Sequence, residues 1–524
     1  MNDMFVKGTC TKIVYIIISC CIALAVVLMI VMAMTVKSQY AELDSYALPM
    51  VSIQHRGSII MTHDDLVLAK QDFPDLYENV NSYDDLRSAK LIKIDETHWL
   101  SYYFPVYSVL CIPTQWLLQL IGAQASRCFD LTNALLTVTA LFCVWRYAGK
   151  RGKAHIMLPA LLTISPFLLY INFRSAEAAM GAFMIIAMVC WREHRRKTAA
   201  LIISIICTMQ PVIMAVGIVI FIDHVITAFK NDCKCYKSKE VIKETLFLCC
   251  CYIPSLVPFI INKVLLGTWS VTAGIIRDYP GQDTVAGRFL EYFFDLNLGI
   301  ASFAMPVVLF FMAACIYGII KRNYIILLEC TAAVFLTFLT SFAVNINCGM
   351  VCCARYVVWI YPVVVFAAHE FTVQFFSDKD IIHWVLSALC IVYTMVMFIY
   401  NGFYPVYRFN NFSANILDRV PQLYVTFCDS TFNAKANGIH GGYNLMDQGG
   451  YAIYYDSDYG EVRKILYVNT ESVKNELINK FTSEQDTDMS AFAAKLKDTD
   501  DGRQYYICVS RYEAVQYVPK EDTI

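Results

Sequence analysis

Charged residues are scarce in this chain: Asp, Glu, Lys and Arg make up 16% of its 524 residues, whereas 57% of the residues are hydrophobic. This composition excludes an ordinary soluble globular protein, in which about 25% of residues are charged. The Lys and Arg residues occur in short groups between apolar segments, and the absence of a long basic tract gives no basis for nucleic-acid binding. The sequence therefore predicts an integral membrane protein, in which the basic groups mark the topology.

Recognisable metal and disulfide patterns are also lacking, although the chain contains 21 cysteines. Many cysteines lie inside apolar segments such as LFLCCCYIP (246–254), where cysteine behaves as a small hydrophobic residue. Cys233 and Cys235 form a lone C-x-C pair, and His55, His63 and His98 are irregularly spaced, so the sequence predicts no metal site. It also contains no repeat of solenoid length and no low-complexity linker.

Apolar segments dominate the first 400 residues. A bilayer core about 30 Å thick requires roughly 20 apolar residues in a helix, and about eleven segments meet this requirement. The first, 13–35, follows Lys7 and Lys12 and lacks an A-x-A cleavage site, which predicts a retained signal anchor with a cytoplasmic N-terminus. Further spans are predicted at 127–147, 154–172, 174–191, 198–228 (two short spans broken near Gln210 and Pro211), 243–264, 299–320, 323–344, 355–375 and 380–400.

Residues 103–121 form one more apolar segment, which is predicted to lie along the membrane interface. A span there would place Arg146, Lys150 and Arg151 outside the cell, against the positive-inside rule. The sequence YYFPVYSVLCIPTQWLLQLIG (102–122) also contains two prolines, three tyrosines and a tryptophan, which suit an interfacial helix.

Two large polar regions are then predicted on the extracytoplasmic side: the first loop, 36–126, and the C-terminal tail, 401–524. In the tail, GGYAIYYDSDYGEVRKILYVNTESV alternates like β-strands and is followed by the helical pattern VKNELINKF. The predicted fold is a polytopic α-helical membrane domain, residues 1–400, with a small α+β extracytoplasmic C-terminal domain, residues 401–524.

The first loop contains an acidic segment, THDDLVLAKQDF (62–73), in which Asp64 and Asp65 follow Thr62. One interpretation is structural, because Thr62 is a typical helix N-cap and acidic residues in a first turn interact favourably with the helix dipole. The other interpretation is chemical: a carboxylate accepts a proton from an acceptor hydroxyl while a lipid-phosphate leaving group departs. Both interpretations remain open for these residues.

Two other segments place charge at the outer ends of predicted spans. Arg174 and Glu177 lie in YINFRSAEAAMGAFM (170–184), where they form either a mutual salt bridge or part of a polar cavity shared with the first-loop acids. Arg355 and Tyr356 lie in NINCGMVCCARYVVWIYP (345–362) and are either an interfacial anchor or part of a phosphate site. Arginine suits phosphate because it donates two parallel hydrogen bonds.

Together these segments resemble the GT-C superfamily of polytopic glycosyltransferases, and most closely its branch of protein O-mannosyltransferases and lipid A aminoarabinose transferases. The resemblance rests on the signal anchor, the acidic external loop and the segments YYFPVYSVLCIP, FRSAEAAM and ARYVVWIYPVVV. It implies that a sugar moves from a polyprenyl-phosphate donor to a cell-envelope glycan, lipid or protein in one inverting step. The implied location is the external face of a bacterial plasma membrane.

The resemblance also implies catalytic roles. Asp64 or Asp65 would be the general base and Glu177 a second acid. Asp44 is an alternative base, because the first acid of the family lies closer to its first span than Asp64 does here.

The remaining implied roles concern binding. Arg174 or Arg355 would bind the donor phosphate, and His63, Tyr102 and Tyr103 would contact the substrate. No cofactor is required by this chemistry, and a divalent metal would bind only through Asp64 or Asp65.

Two other classes of function compete with the enzyme. A transporter or lipid-linked glycan flippase would also need many spans, although the paired broken spans of an inverted repeat are not evident. A non-catalytic envelope scaffold that binds partners through its tail is the third candidate.

Overall fold

The computed structural model describes residues 2–36, 43–83, 86, 91–165, 167–231, 239–271, 285–296, 299–342, 353–377 and 380–401, and four strands between 451 and 518. The chain divides into two units. The first comprises Met1–Ile275, Pro306–Leu339 and Val358–Thr394. The second comprises Ile276–Met305, Thr340–Val357 and Met395–Ile524.

Helices predominate because apolar segments in a bilayer can satisfy their backbone hydrogen bonds internally in this form. In chain order, the helices are α1 (Asn2–Thr35), α2 (Asp44–Arg56), α3 (His63–Asp72), α4 (Pro74–Tyr77), α5 (Val106–Leu120), α6 (Cys128–Arg151), α7 (Leu158–Thr163), α8 (Phe167–Tyr170), α9 (Glu177–Arg192), α10 (Arg196–Met209), α11 (Met214–Asn231), α12 (Lys239–Cys250), α13 (Val257–Leu266), α14 (Val285–Phe294), α15 (Ala301–Lys321), α16 (Tyr324–Thr340), α17 (Val357–Phe375) and α18 (Asp380–Asn401).

Seven helical segments within the described ranges are long and apolar enough to cross a membrane: Ile16–Thr35, Ala125–Arg151, Pro211–Phe229, Val241–Leu266, Ala301–Lys321, Val357–Phe375 and Ile381–Tyr400. They confirm the predicted class, a helical integral membrane protein. The other four predicted spans fall on shorter helices, namely α7 with α8, α9, α10 and α16. The predicted break near Gln210 is present, since this residue is extended between α10 and a short 3-10 turn that leads into α11.

The predicted span at 154–172 is wrong as a single helix. The chain forms α7 and α8 there, which contain 6 and 4 residues. Ile164 leaves the helical conformation at the end of α7, and Pro166, which has no backbone N–H to donate, follows two residues later. Pro166 is a local signal of this interruption, whereas the apolar composition of the segment reflects burial and not continuity of the helix.

Contacts at both ends of α6 and α9 show that these helices run in the same direction. At their starts, Asn133 donates hydrogen bonds to the turn that precedes α9. At their ends, Lys150 Nζ lies 2.8 Å from Glu193 Oε1, and Arg151 donates to the carbonyl of Arg192. The intervening residues, 152–176, therefore return the chain from the end of α6 to the start of α9.

The segment between α1 and α6 folds against the start of α6. It contains α2 to α5 and three short antiparallel strands, β1 (Ile60–Met61), β2 (Leu91–Lys93) and β3 (Trp99–Ser101), in the order β1-β3-β2. Helix α5 buries one face and exposes Val109, Trp116, Leu117 and Leu120 on the other. Its 15 residues and its apolar exposed face suit the predicted position along a membrane interface.

The second unit contains a four-stranded antiparallel sheet in the tail. Strands β4 (Tyr451–Asp456), β5 (Glu461–Val468), β6 (Gln504–Cys508) and β7 (Ala514–Val518) pair in sequence order. The first two match the alternating segment predicted to form strands, with Tyr451 opposite Tyr467 and Asp456 opposite Glu461. The helix predicted for VKNELINKF lies outside the described residues, and the predicted domain boundary at residue 400 stays a prediction.

A close helix contact at Gly181 gives a test of this packing. A Cβ atom on Gly181 would meet the ring of Phe167 and would lie 2.9 Å from the carbonyl oxygen of Val358. We expect Gly181→Ala to lower the free energy of unfolding by about 1–3 kcal/mol, the usual cost of overpacking. Thermal unfolding of the detergent-purified protein measures this change.

The matched control is Gly318→Ala, where the nearest atoms belong to the flexible side chain of Leu327 at 3.2 Å. We expect this variant to be nearly neutral. Equal losses in the two variants would contradict the packing of α9 described above.

Candidate carboxylate and guanidinium site

Asp65 is fully buried and holds the first loop together. Arg56 Nε donates to Asp65 Oδ1 at 2.8 Å and Arg56 Nη2 to Asp65 Oδ2 at 2.5 Å. The backbone N–H of Thr62 donates to Oδ2 at 2.7 Å, as expected where an acid in the first turn of a helix binds its N-cap. The hydrogen bond to Asp65 raises the pKa of Arg56. Both carboxylate oxygens of Asp65 thus have a structural function.

Asp64 and His63 occupy the exposed side of the same helical turn. The His63 ring packs edge-on against Trp99, with 4.7 Å between centroids, and Trp99 stacks on Tyr83 at 4.2 Å. The hydroxyl of Tyr83 donates to the carbonyl of Thr62. The start of α3 is therefore fixed by aromatic packing, and Asp64 projects from it towards solvent.

Asp44 is the first residue of α2 and the first described acid after the end of α1 at Thr35. The hydroxyl of Tyr77 donates to Asp44 Oδ1 at 2.8 Å. Burial, and then the negative charge of Asp44, raise the pKa of Tyr77 well above its ordinary value, so this hydroxyl keeps its proton and remains a donor. Asp44 itself is only partly buried. Of the three candidate bases, it combines an oriented carboxylate with access to solvent.

Arg174 and Asp130 form a buried ion pair at the start of α6, with 3.1 Å between Nε and Oδ2. Arg127, from the turn before α6, approaches the same oxygen at 3.9 Å and donates to the backbone carbonyl of Val36, just beyond α1. Two guanidinium groups therefore meet one carboxylate beside the C-terminal end of α1. Arg127 and Asp130 were missed by sequence reasoning, although ASRCFD immediately precedes a long apolar segment.

Asn133 fixes the turn that carries Arg174. Its side-chain amide donates to the carbonyl groups of Ile171, Phe173 and Ser175 at 3.2–3.4 Å. Its side-chain oxygen accepts a hydrogen bond of 3.0 Å from the hydroxyl of Tyr107. All these contacts are buried, so the position of Arg174 depends on a network that water does not loosen.

Glu177 begins α9 and is almost fully buried. It accepts a hydrogen bond from the hydroxyl of Ser175. A carboxylate in the first turn of a helix interacts favourably with the partial positive charge at the helix N-terminus. The turn thus brings Arg174 and Glu177 to the same end of the first unit as Asp130.

A row of tyrosines connects α2 with this turn. Tyr46, two residues after Asp44, stacks on Tyr103 at 5.2 Å and meets Tyr107 edge-on at 5.1 Å. Tyr102 packs against Tyr103 at 5.1 Å. Through Tyr107 and Asn133 the row leads from the start of α2 to the turn that carries Arg174, so the predicted substrate contacts Tyr102 and Tyr103 lie beside the candidate site.

Arg355 is buried in the turn before α17 and belongs to the second unit. Its phosphate role stays a prediction. Among the described residues, no group of three His, Cys, Asp or Glu side chains is arranged to hold a metal ion.

No protein-family model matches the chain, and no curated protein is significantly similar to it. The resemblance to the GT-C superfamily therefore rests on the segments quoted from the sequence and remains an expectation.

The contrast between Asp65 and Asp64 predicts different stabilities for their Asn variants. Asp65→Asn removes the charge of a buried carboxylate that binds the partly exposed Arg56 and the N–H of Thr62, and it should lower the free energy of unfolding by about 1–3 kcal/mol, the usual cost of hydrogen bonds lost at a buried group. Asp64→Asn changes an exposed side chain and should stay within about 0.5 kcal/mol of the wild type. Urea-induced unfolding in mild detergent measures both. A fully stable Asp65→Asn protein would refute the structural role assigned to Asp65.

Proposed function

We propose that this protein is a membrane glycosyltransferase that moves a sugar from a polyprenyl-phosphate donor to a hydroxyl group of a cell-envelope acceptor. The observation that carries the proposal is the position of the Asp44 carboxylate. Asp44 begins α2, the first described helix after α1, and the hydroxyl of Tyr77 orients its carboxylate. Two guanidinium groups, on Arg127 and Arg174, lie at the same end of the first unit. A base and a cationic phosphate site are the two groups that this transfer requires.

Asp44 is the proposed general base. It accepts the proton of the acceptor hydroxyl as the oxygen attacks the anomeric carbon of the donor sugar. Tyr77 fixes the orientation of the carboxylate and so reduces the cost of positioning it during the reaction. Asp64 stays a candidate on the exposed side of α3. Asp65 has the weakest case, because Arg56 and Thr62 bind its oxygens.

Arg127 and Arg174 are the proposed phosphate ligands. As the sugar leaves, negative charge develops on the lipid phosphate, and a nearby guanidinium stabilises this charge most strongly where water is excluded. Arg127 also contacts the end of α1, which would place the phosphate near the membrane surface and the polyprenyl chain in the bilayer. Glu177 is the proposed second acid, and His63, Tyr102 and Tyr103 are the proposed contacts to the sugar or the acceptor.

The proposed topology has about eleven spans, with the four shorter helical segments completing the set and the N-terminus in the cytoplasm. Basic residues cluster where α6 and α9 end, at Arg151, Arg192 and Arg195, whereas Asp44, Asp64 and Asp72 lie at the opposite end. The positive-inside rule then assigns the acidic end to the extracytoplasmic side. The tail, with its four strands, would form the α+β domain on that side, and the membrane would be a bacterial plasma membrane.

The first functional test compares the three Asn variants of the candidate bases. Purified protein is incubated with synthetic short-chain polyprenyl-phosphate sugars and an envelope extract, and mass spectrometry follows the release of polyprenyl phosphate. Asp44→Asn should slow transfer by about 10²–10⁴-fold, the usual contribution of a general base. Asp64→Asn should keep most of the activity, and Asp65→Asn should lose activity only in proportion to its loss of folded protein.

Full activity in a folded Asp44→Asn protein would contradict the assignment of the base. Transport of the intact donor across a vesicle membrane, with no release of polyprenyl phosphate, would support the flippase alternative. If the wild-type protein shows neither sugar transfer nor transport of the donor, the scaffold alternative is favoured.

The second functional test concerns the phosphate site. Arg127→Gln removes a cation that would contact the donor phosphate, and a hydrogen bond to a charged group is worth about 1.5–3 kcal/mol. We therefore expect the KM for the donor to rise about tenfold or more. The control is Lys93→Gln, which removes an exposed cation paired with Glu96 at 2.7 Å in the same loop. Equal KM values for both variants would exclude Arg127 from the phosphate site.

A further inference from the structure

A second buried ionic cluster lies at the other end of the first unit, where α9 ends in Arg192. Arg192 Nε lies 2.5 Å from Glu329 Oε1, and Arg192 Nη2 donates to Glu329 Oε2 at 2.9 Å. The same Nη2 lies 2.7 Å from Glu370 Oε2. The side chains of Arg192, Glu329 and Glu370 are only 10%, 1% and 13% exposed. One guanidinium on α9 therefore joins carboxylates from α16 and α17.

The charges of this cluster do not balance. One guanidinium and two ionised carboxylates leave one excess negative charge. Two cations near the end of α6 are engaged elsewhere: Lys150 pairs with Glu193 at 2.8 Å, and Arg151 donates to the backbone carbonyl of Arg192. Both of these cations are exposed to solvent, which screens their effect on the cluster.

Three histidines form a row that starts one residue before Glu370. His369 precedes Glu370 in the chain, and its Nε2 lies 3.2 Å from Nδ1 of His155. The ring of His383 packs edge-on against His369 with 5.0 Å between centroids. His369 is 4% exposed, and its Nδ1 has no hydrogen-bond partner among the described residues. Among the described residues, Tyr147 on α6 and Cys330 on α16 also interact electrostatically with the cluster.

A small cavity borders His369. It is lined mainly by apolar side chains, but His369, Thr372 and Ser387 add polar groups to its wall. A histidine can accept a proton at one ring nitrogen and donate one from the other, so adjacent imidazoles can pass a proton along the row.

We propose that Arg192, Glu329, Glu370 and the three histidines form a proton-binding site that retains one proton at neutral pH. The physical reason is the cost of an unbalanced charge in a low-dielectric interior, which a single bound proton removes. The proton is taken from water, and no bond other than the one to the proton forms or breaks. Because the groups interact strongly, the proton belongs to the whole cluster and not to one residue. The site is independent of the proposed sugar transfer.

The site predicts the direction in which stability changes with pH. In the unfolded chain a glutamate ionises near pH 4.3 and a histidine near pH 6.5, so that chain has released these protons at mildly alkaline pH. The folded protein then binds one proton more than the unfolded chain, and its stability falls as pH rises. The unfolding equilibrium constant should increase up to tenfold per pH unit until the cluster releases its proton.

The experiment measures thermal unfolding of the full-length protein in detergent between about pH 6 and about pH 9. Glu329→Gln removes the excess charge, so its stability should fall less steeply with pH than that of the wild type. Glu370→Gln should have the same effect and serves as the second variant if Glu329→Gln fails to fold. The control is Glu193→Gln. The hydrogen bond from Lys150 lowers the pKa of Glu193, so its contribution is lost only at acidic pH, below this range, and the variant should keep the wild-type slope.

Equal slopes in the wild type and in a folded Glu→Gln variant of the cluster would overturn the proposal. A wild-type stability that follows Na⁺ concentration instead of pH would also overturn it, since the excess charge would then be neutralised by a metal cation.

Discussion

Charge buried in this chain is tolerated because carboxylates meet guanidinium groups, and this pairing determines how its elements are joined. Arg56 with Asp65 connects α2 to α3, Arg174 with Asp130 connects the turn before α9 to α6, and Arg192 joins α9 to α16 and α17. An unpaired charge in such surroundings costs several kcal/mol, so each pair restricts the elements that carry it to one arrangement. The two ends of the first unit are therefore specified by ionic contacts and the middle by apolar packing.

The pairing also explains which acids are available for chemistry. A buried carboxylate whose oxygens are bound by an arginine and a backbone N–H, as in Asp65, is part of the scaffold. The Asp44 carboxylate is held by a tyrosine hydroxyl, a weaker and neutral donor, and it remains partly accessible. A proton acceptor requires this combination of orientation and access. Of the two adjacent acids in the first loop, Asp65 is thus structural and Asp64 is exposed.

Sequence reasoning predicted the helical membrane class, the break at Gln210 and the first two strands of the tail, because these depend on local composition and alternation. It also placed a helix start at Thr62, where the capping pattern is local. It failed at 154–172, where the apolar composition was given more weight than Pro166, and it missed Asp130 and Arg127. Their significance lies in contacts with residues 44 and 91 positions away, which no local pattern encodes. The buried partners of Arg192 were missed for the same reason. Each is a single charge in an apolar segment, and the sequence does not show that the fold brings these charges together.

The central claim is that the acidic end of the first unit cleaves a lipid-linked sugar donor. The most direct measurement reconstitutes the purified protein in vesicles with a radiolabelled polyprenyl-phosphate sugar and an envelope acceptor, and then analyses the lipid and acceptor fractions separately. We expect the label to move to the acceptor with inverted anomeric configuration and unlabelled polyprenyl phosphate to remain in the membrane. A donor that stays intact, whether it changes leaflet or not, would contradict the central claim.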